Sequence, residues 1–235
     1  MKRALMTLVS VVIGVLVVGG SVALFSAGAQ EPEPLTAKVI GTAKTPQGEL
    51  PHAELDLSIY PNSSPAVPPP AVDDALAQSQ SVSQQWPYYT PSSNLVLPAN
   101  SLVTIKITQY DSGGIIYNPF LAEVVGTVDG KATFDGEERT GIDPKNVAHT
   151  FTIHQYPESD QPSWFVNVPV PANSGNAPTD ANGYPKDPHV IEFSFITGDA
   201  GEYIWNCEFP CGTGYVSFGG PMQQRGWMSG TATVV

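Results

Sequence analysis

The sequence predicts an all-β sandwich carried behind one N-terminal apolar helix. Three observations lead there. The chain opens with Lys2 and Arg3 and then runs without a charge from Ala4 to Ala29. Beyond that run no long amphipathic helix pattern appears, and 22 Gly and 23 Pro residues punctuate a chain of 235. Between the turn clusters, short β-rich runs of alternating polarity recur, which is the pattern of a sandwich or barrel.

The N-terminal run is long enough to cross a hydrocarbon core of about 30 Å at about 1.5 Å per helical residue. The two positive charges before it place the N-terminus in the cytoplasm. Ala27-Gly28-Ala29 also fits a signal-peptide cleavage site. The run is longer than a usual signal core, which favours an uncleaved anchor, and with no cysteine in it the segment is not a lipoprotein leader. Either reading exports residues 31–235, as a single-pass protein of the cell membrane with its domain on the extracytoplasmic side or as a secreted one. The expected layout is residues 1–30 as anchor or signal, 31–94 as a Pro/Ser-rich N-terminal segment, and 95–235 as the main domain.

The elements follow in order. EPEP at 31–34 is a stiff exit from the membrane. Thr36–Gly41 and Ala53–Tyr60 read as a strand pair, the second alternating as AELDLSIY. Residues 61–94 are dominated by Pro, Ser, Gln and Ala, a composition of extended chain, with room for a short helix at 73–83. LVLPANSLVTIKITQYD reads as strand, turn and strand, with Val103, Ile105 and Ile107 on one face. Asp129-Gly130 in VVGTVDGKATF signals a tight hairpin. NVAHTFTIHQY (146–156) is a strand with His149, Phe151 and Ile153 on one face and His154 on the other. Residues 157–188 read as a long loop containing Phe165–Val168. HVIEFSF (189–195) and EYIWNC (202–207) flank TGDAG as an antiparallel hairpin, and GTATVV closes the chain as a strand.

Without Lys2 and Arg3, 8 basic side chains face 22 acidic ones, a net charge of −14. Nucleic-acid binding needs a basic footprint and is excluded on that ground. An acidic domain is soluble, and it also suits encounter with a basic soluble partner. No G-x-S-x-G, H-E-x-x-H or S-x-x-K pattern occurs, so no catalytic machinery is indicated.

The two cysteines, Cys207 and Cys211, are the only ones in the chain. In an exported protein such a pair is a disulfide, a soft-metal site or two core thiols. A bridge between positions four apart closes a very small loop and constrains the unfolded chain little.

The His of NVAHTFTI, the Gly-Glu-Tyr strand running into Cys207, the Met-bearing loop and the closing GTATVV together resemble the cupredoxin family, and within it the exported copper domain of cytochrome c oxidase subunit II. LVLPANSLVTIKI is similar to the strand entry of those domains. The resemblance covers roughly residues 93–235 and implies a Greek-key cupredoxin-like sandwich, copper as cofactor, and electron transfer beside a respiratory oxidase complex or a basic soluble electron carrier. It implies His149, Cys207 and Cys211 as ligands. The family's binuclear copper loop, Cys-x3-Cys-x3-His-x2-Met, then departs: its His falls on Tyr215 and its Met on Phe218. Aligned from WMSGTATV instead, Met228 takes the axial position and Arg225 stands where the imidazole belongs. Met222 is the other candidate axial ligand. His189 is a candidate for the missing imidazole, because the expected hairpin would bring it to the same end as Cys207. The alternative expectation is a metal-free structural or binding subunit with a Cys207–Cys211 disulfide.

Overall fold

The computed structural model describes residues 2–27, 32–61, 86–114, 116–156, 164–212 and 219–235. Two sheets face each other across one hydrophobic core. The first contains β1 (Leu35–Thr36), β5 (Leu95–Leu97), β13 (Ser229–Val234), β12 (Gly201–Asn206), β9 (Val147–Gln155) and β10 (Phe165–Pro171), in that spatial order. The second runs β2 (Lys38–Thr45), β3 (Gly48–Tyr60), β6 (Leu102–Gln109), β11 (His189–Ile196), β7 (Ala132–Phe134) and β8 (Glu137–Arg139), with β4 (Tyr88–Thr90) also paired to β3. The all-β sandwich read from the sequence is therefore present.

Alternation explains why these runs are strands. In β6, Val103, Ile105 and Ile107 are fully buried while Lys106 faces solvent. In β3, Ala53, Leu55, Leu57 and Ile59 point inward and Glu54 and Asp56 outward. β9 departs from this pattern, because Val147 to Ile153 are buried on both faces. Its outward Thr150 and Thr152 join Asn167 of β10 in a hydrogen-bonded row, and Asn167 donates to the Glu123 carbonyl of an overlying loop. Strands buried on both faces lose the alternation from which a sequence reading works.

Several expected connections are made differently. Residues 35–60 belong to both sheets, and β3 runs parallel to β6 from His52 to Ile59. The expected first strand pair is the β2–β3 hairpin, longer at the turn than the residues named above. The 189–195 and 202–207 strands do not form a hairpin: β11 pairs with β6 and β7, whereas β12 pairs with β13 and β9. TGDAG is a crossover between sheets, as the core-facing aromatic of each strand is satisfied only from opposite sides of the core. Asp129-Gly130 closes a 3-10 turn at Val128–Gly130, since Val125 before it bridges to Asn167 and not to β7. The tight hairpin of this region lies one Asp-Gly further on, at Asp135-Gly136, where both residues have positive φ and β7 meets β8. Phe165–Pro171 is a full strand on β9 instead of part of a loop. The helix expected at 73–83 falls outside the described residues.

Lys2–Ala27 is one continuous helix, α1, of 26 residues. The transmembrane helix of the fold expectation is not confirmed by it: among the described residues, no helix is long and apolar enough to cross a membrane.

Candidate metal centre

The site sits where β9 and the end of β12 lie side by side. β12 pairs with β9 through Asn206↔Thr152, so the chain continuing to Cys207 passes beside Thr150 and His149. Thr150 N–H donates to the Cys207 sulfur at 3.3 Å, and Glu208 N–H donates to Thr150 Oγ1 at 2.8 Å. The register of β12 against β13 extends by one more bond, from Cys207 N–H to the Met228 carbonyl at 2.8 Å. That bond sets Met228 opposite Cys207.

His149 is 1% exposed, Cys207 0% and Cys211 4%. His149 Nδ1 lies 3.2 Å from the Cys211 sulfur and 3.9 Å from the Cys207 sulfur. The sulfurs are 3.1 Å apart and both cysteines are free, so the alternative disulfide is not formed here. All three donor atoms lie within 4.8 Å of one another. Both sulfurs lie 3.0 Å from the Phe209 carbonyl, midway along the short turn between the cysteines. The buried Phe209 ring anchors that turn in the core.

Asp111, just beyond the end of β6, completes the arrangement. Its Oδ2 accepts from His149 Nε2–H at 2.8 Å and from Gly113 N–H at 3.0 Å. Gly113 has positive φ, and a Cβ there would overlap the Ala148 side chain, so this turn packs directly against β9. With Nε2 committed to Asp111, the ring can present only Nδ1 to the sulfurs. A carboxylate that fixes the tautomer and orientation of a ligand histidine is a common partner of metal sites.

The electrostatics favour a thiolate beside a charged or metal-facing imidazole. Burial alone would lower the His149 imidazole, but Asp111 and the Cys207 sulfur hold it up. Burial alone would raise the Cys207 thiol, but hydrogen bonds from Cys211 and His149, the His149 charge and the Thr150 N–H hold it down. Burial and the neighbouring Cys207 thiolate push Cys211 well up. Burial would raise Asp111 too, and the His149 bond and charge with the Gly113 and Ser112 N–H groups keep it low.

The donor set fits a soft metal ion. Two ligands at about 2.0–2.3 Å from one ion in tetrahedral geometry stand roughly 3.5–3.8 Å apart, and the three spacings here bracket that range. Thiolate and imidazole together select copper or zinc over hard cations.

The other candidate residues are placed as follows. Met228 is fully buried in the core beside Cys207, and Met222 is half-buried on the single helical turn Gly220–Gln223. His189 is not brought together with the cysteines. It lies at the start of β11 in the opposite sheet, paired in register with Gln109, and its Nδ1 is 2.7 Å from Asp135 Oδ2. The hairpin that would have carried it to Cys207 does not exist, so its position follows from the crossover. Arg225 is exposed and donates to the Tyr156 hydroxyl at 3.3 Å. Tyr215 and Phe218 lie outside the described residues. His154 is half-buried on the outward face of β9, held by Asn206, Glu208 and the Gln155 carbonyl. Asp111 is the residue that sequence reasoning passes over, since QYDSGG reads only as a strand end and a turn. Nothing in that pattern ties its carboxylate to a histidine 38 positions on.

No family model and no curated protein matches the chain. Among solved structures, the chain is similar to auracyanin B at 14% identity, covering 85% of this chain and 99% of that one with a TM-score of 0.34. It is similar to the copper protein rusticyanin at 15% identity, covering 88% and 86% of the two chains with a TM-score of 0.32. Reduced rusticyanin is similar at 13% identity over 92% and 95%, with a TM-score of 0.31. Neither a family nor a function of this chain follows from likenesses at these scores.

Proposed function

We propose that the exported domain is a cupredoxin-like electron-transfer module, resembling cytochrome c oxidase subunit II, in which His149, Cys207 and Cys211 would hold copper, with Met228 buried beside Cys207. The observation that carries the reading is the convergence of His149 Nδ1 and two free, buried sulfurs at spacings of 3.1–3.9 Å, with Asp111 holding the ring in the tautomer such a site needs. A bound copper ion supplies a one-electron couple. The protein supplies rigidity: His149 lies within a strand buried on both faces, and Cys207 is pinned by its N–H to the Met228 carbonyl just before β13 and by Thr150 N–H of β9 to its sulfur. The three donors are buried in the hydrophobic core, so little rearrangement accompanies a change of charge.

The remaining parts of the reading rest on sequence and charge. The uncharged run from Ala4 to Ala29, which in α1 carries exposed Val9, Val12, Leu16 and Val18, supports a membrane anchor, because contiguous exposed apolar surface marks a membrane or protein contact. An anchored domain of net charge −14 suits a basic soluble electron carrier on one side and a respiratory oxidase in the membrane on the other.

Copper titration of the full chain in detergent tests this reading. Expected are intense visible thiolate-to-copper absorption, a Cu(II) paramagnetic resonance signal, and loss of both free thiols on saturation. A colourless protein with no free thiols from the outset would overturn it in favour of a bridged, metal-free subunit.

Asp111 provides a second check. Replacing it by Ala frees the His149 ring, and lost orienting partners typically cost roughly 10–100-fold in metal affinity. Asp111→Asn, which still accepts a hydrogen bond from Nε2–H, is expected to recover most of that loss. Equal weakening in both variants, measured by competition with a chelator, would show that the carboxylate does not act through the ring.

A further inference from the structure

A row of oxidisable aromatic rings runs beside the candidate metal centre, and nothing in the proposed electron-transfer site requires it. Trp227 immediately precedes Met228 and is fully buried. Its ring meets Tyr88 edge-on at 6.0 Å, Tyr88 meets Tyr60 at 6.3 Å, and Tyr60 stacks on Tyr110 at 4.6 Å with planes 10° apart. Tyr184 closes a triangle with Tyr60 and Tyr110 at 4.8 and 5.4 Å. Tyr110 in turn immediately precedes Asp111, the partner of His149. The row thus begins and ends one residue from the groups that build the site, while Tyr60 and Tyr110 reach the surface as half-exposed side chains.

One polar atom of the row and two beside it lack partners: among the described residues, Trp227 Nε1, and the neighbouring Trp86 Nε1 and Tyr184 OH, are buried without a hydrogen-bond partner. Each such group costs stability that a Phe or Leu core would not forfeit, and buried unpaired polar groups in native proteins call for an explanation, redox roles among them. Tyrosine and tryptophan differ from Phe and Leu in the one property that matters here: they lose an electron readily. The neighbouring sulfurs have the opposite problem, because oxidation of a thiolate past the sulfenic acid is irreversible.

We propose that Trp227, Tyr88, Tyr60 and Tyr110 form a radical-transfer chain that draws one-electron oxidising equivalents away from the Cys207–Cys211 centre to the Tyr60–Tyr110 pair at the surface. The oxidant is an oxygen-centred radical of the alkoxyl or hydroxyl class that arrives from solution. It takes one electron from the Trp227 indole and one proton from water and becomes the alcohol or water. Trp227 regains its electron from Tyr60 through Tyr88. The Tyr60 phenol releases its proton to solvent and is left as the neutral tyrosyl radical. In sum, the oxygen radical and the phenol become the alcohol and the phenoxyl, with no electron or proton unaccounted for. The purpose of the chain rests on the redox reading above, but the path itself needs no metal.

That independence shapes the test. Metal-free full chain in detergent is oxidised by flash-generated ruthenium(III) tris-bipyridine, frozen, and read by paramagnetic resonance and by peptide mapping of oxidised residues. The expected result is a tyrosyl signal assigned to Tyr60 and Tyr110, with the cysteines preserved. Y60F with Y110F should lose that signal and oxidise the cysteines instead. Y88F keeps every ring and the packing but removes the middle donor, and it should delay formation of the tyrosyl signal. A signal that is unchanged in these variants, or that resides on the exposed Tyr117 or on Tyr156, would overturn the proposal. Failure of copper to bind would leave this result unaffected, so the two readings fail separately.

Discussion

Cys207→Ser is expected to abolish thiolate-to-metal absorption and to lower copper affinity by far more than the roughly 10–100-fold that an orienting partner is worth. Cys207 is the sulfur that the surroundings hold as thiolate: Thr150 N–H donates to it, Cys211 donates to it, and His149 stands beside it. A serine hydroxyl in its place is harder, weaker as a ligand at neutral pH, and poorly matched to copper. Its small size lets the turn keep its bonds, because Cys207 N–H would still reach the Met228 carbonyl. The domain should therefore stay folded, as judged by far-ultraviolet circular dichroism and denaturation midpoint. Cys211→Ser should also lose the visible bands, and His149→Ala should lose affinity with the thiols still present. Retention of strong visible absorption in Cys207→Ser would mean that copper binds elsewhere.

Trp205→Ala is expected to cost about 3–5 kcal/mol of stability, in the range for removing a large aromatic from a core. Trp205 is fully buried, stacks on Phe151 at 5.0 Å and meets Tyr89 edge-on at 4.7 Å. Its indole N–H donates to the Ser93 carbonyl at 2.5 Å. That carbonyl also lies against Gly230, where any Cβ would overlap it. The loop at 92–94 is thus clamped between β12 and β13, and Ala would release both the ring stack and the clamp. Trp205→Phe keeps a ring and gives up the donor, so it should lose less, and it should retain metal affinity because the register of β12 is unchanged. Urea denaturation of the three proteins checks the order, and a cost for Trp205→Ala below that of Trp205→Phe would contradict it.

Much of the architecture is legible from local pattern. Strands with one wet face, β3 and β6, show themselves through AELDLSIY and LVTIKIT. The His149, Phe151 and Ile153 face of β9 follows from the same period of two. β10 is harder to read, because it is buried along nearly its whole length and carries Pro169 and Pro171. The choice between Asp129-Gly130 and Asp135-Gly136 as hairpin turn is not local either. Both offer residues that tolerate positive φ, and what decides is whether a partner strand stands on each side.

The sequence by itself determined that this is an acidic, β-rich chain behind a long uncharged segment, which needs only residue type, charge and spacing. Its resemblance to the cupredoxin family implied His149, Cys207 and Cys211 as ligands, with Met228, Met222 and His189 as further candidates. Tertiary structure alone decided which imidazole reaches the cysteines and how it is held. β11 and β12 part into opposite sheets because each buries its aromatic face from a different side of one core, and that leaves His189 with Asp135. The same packing brings the end of β6 against β9 and puts Asp111 on His149. Long-range pairing of this kind depends on the whole core closing at once, and no stretch of the chain carries it alone.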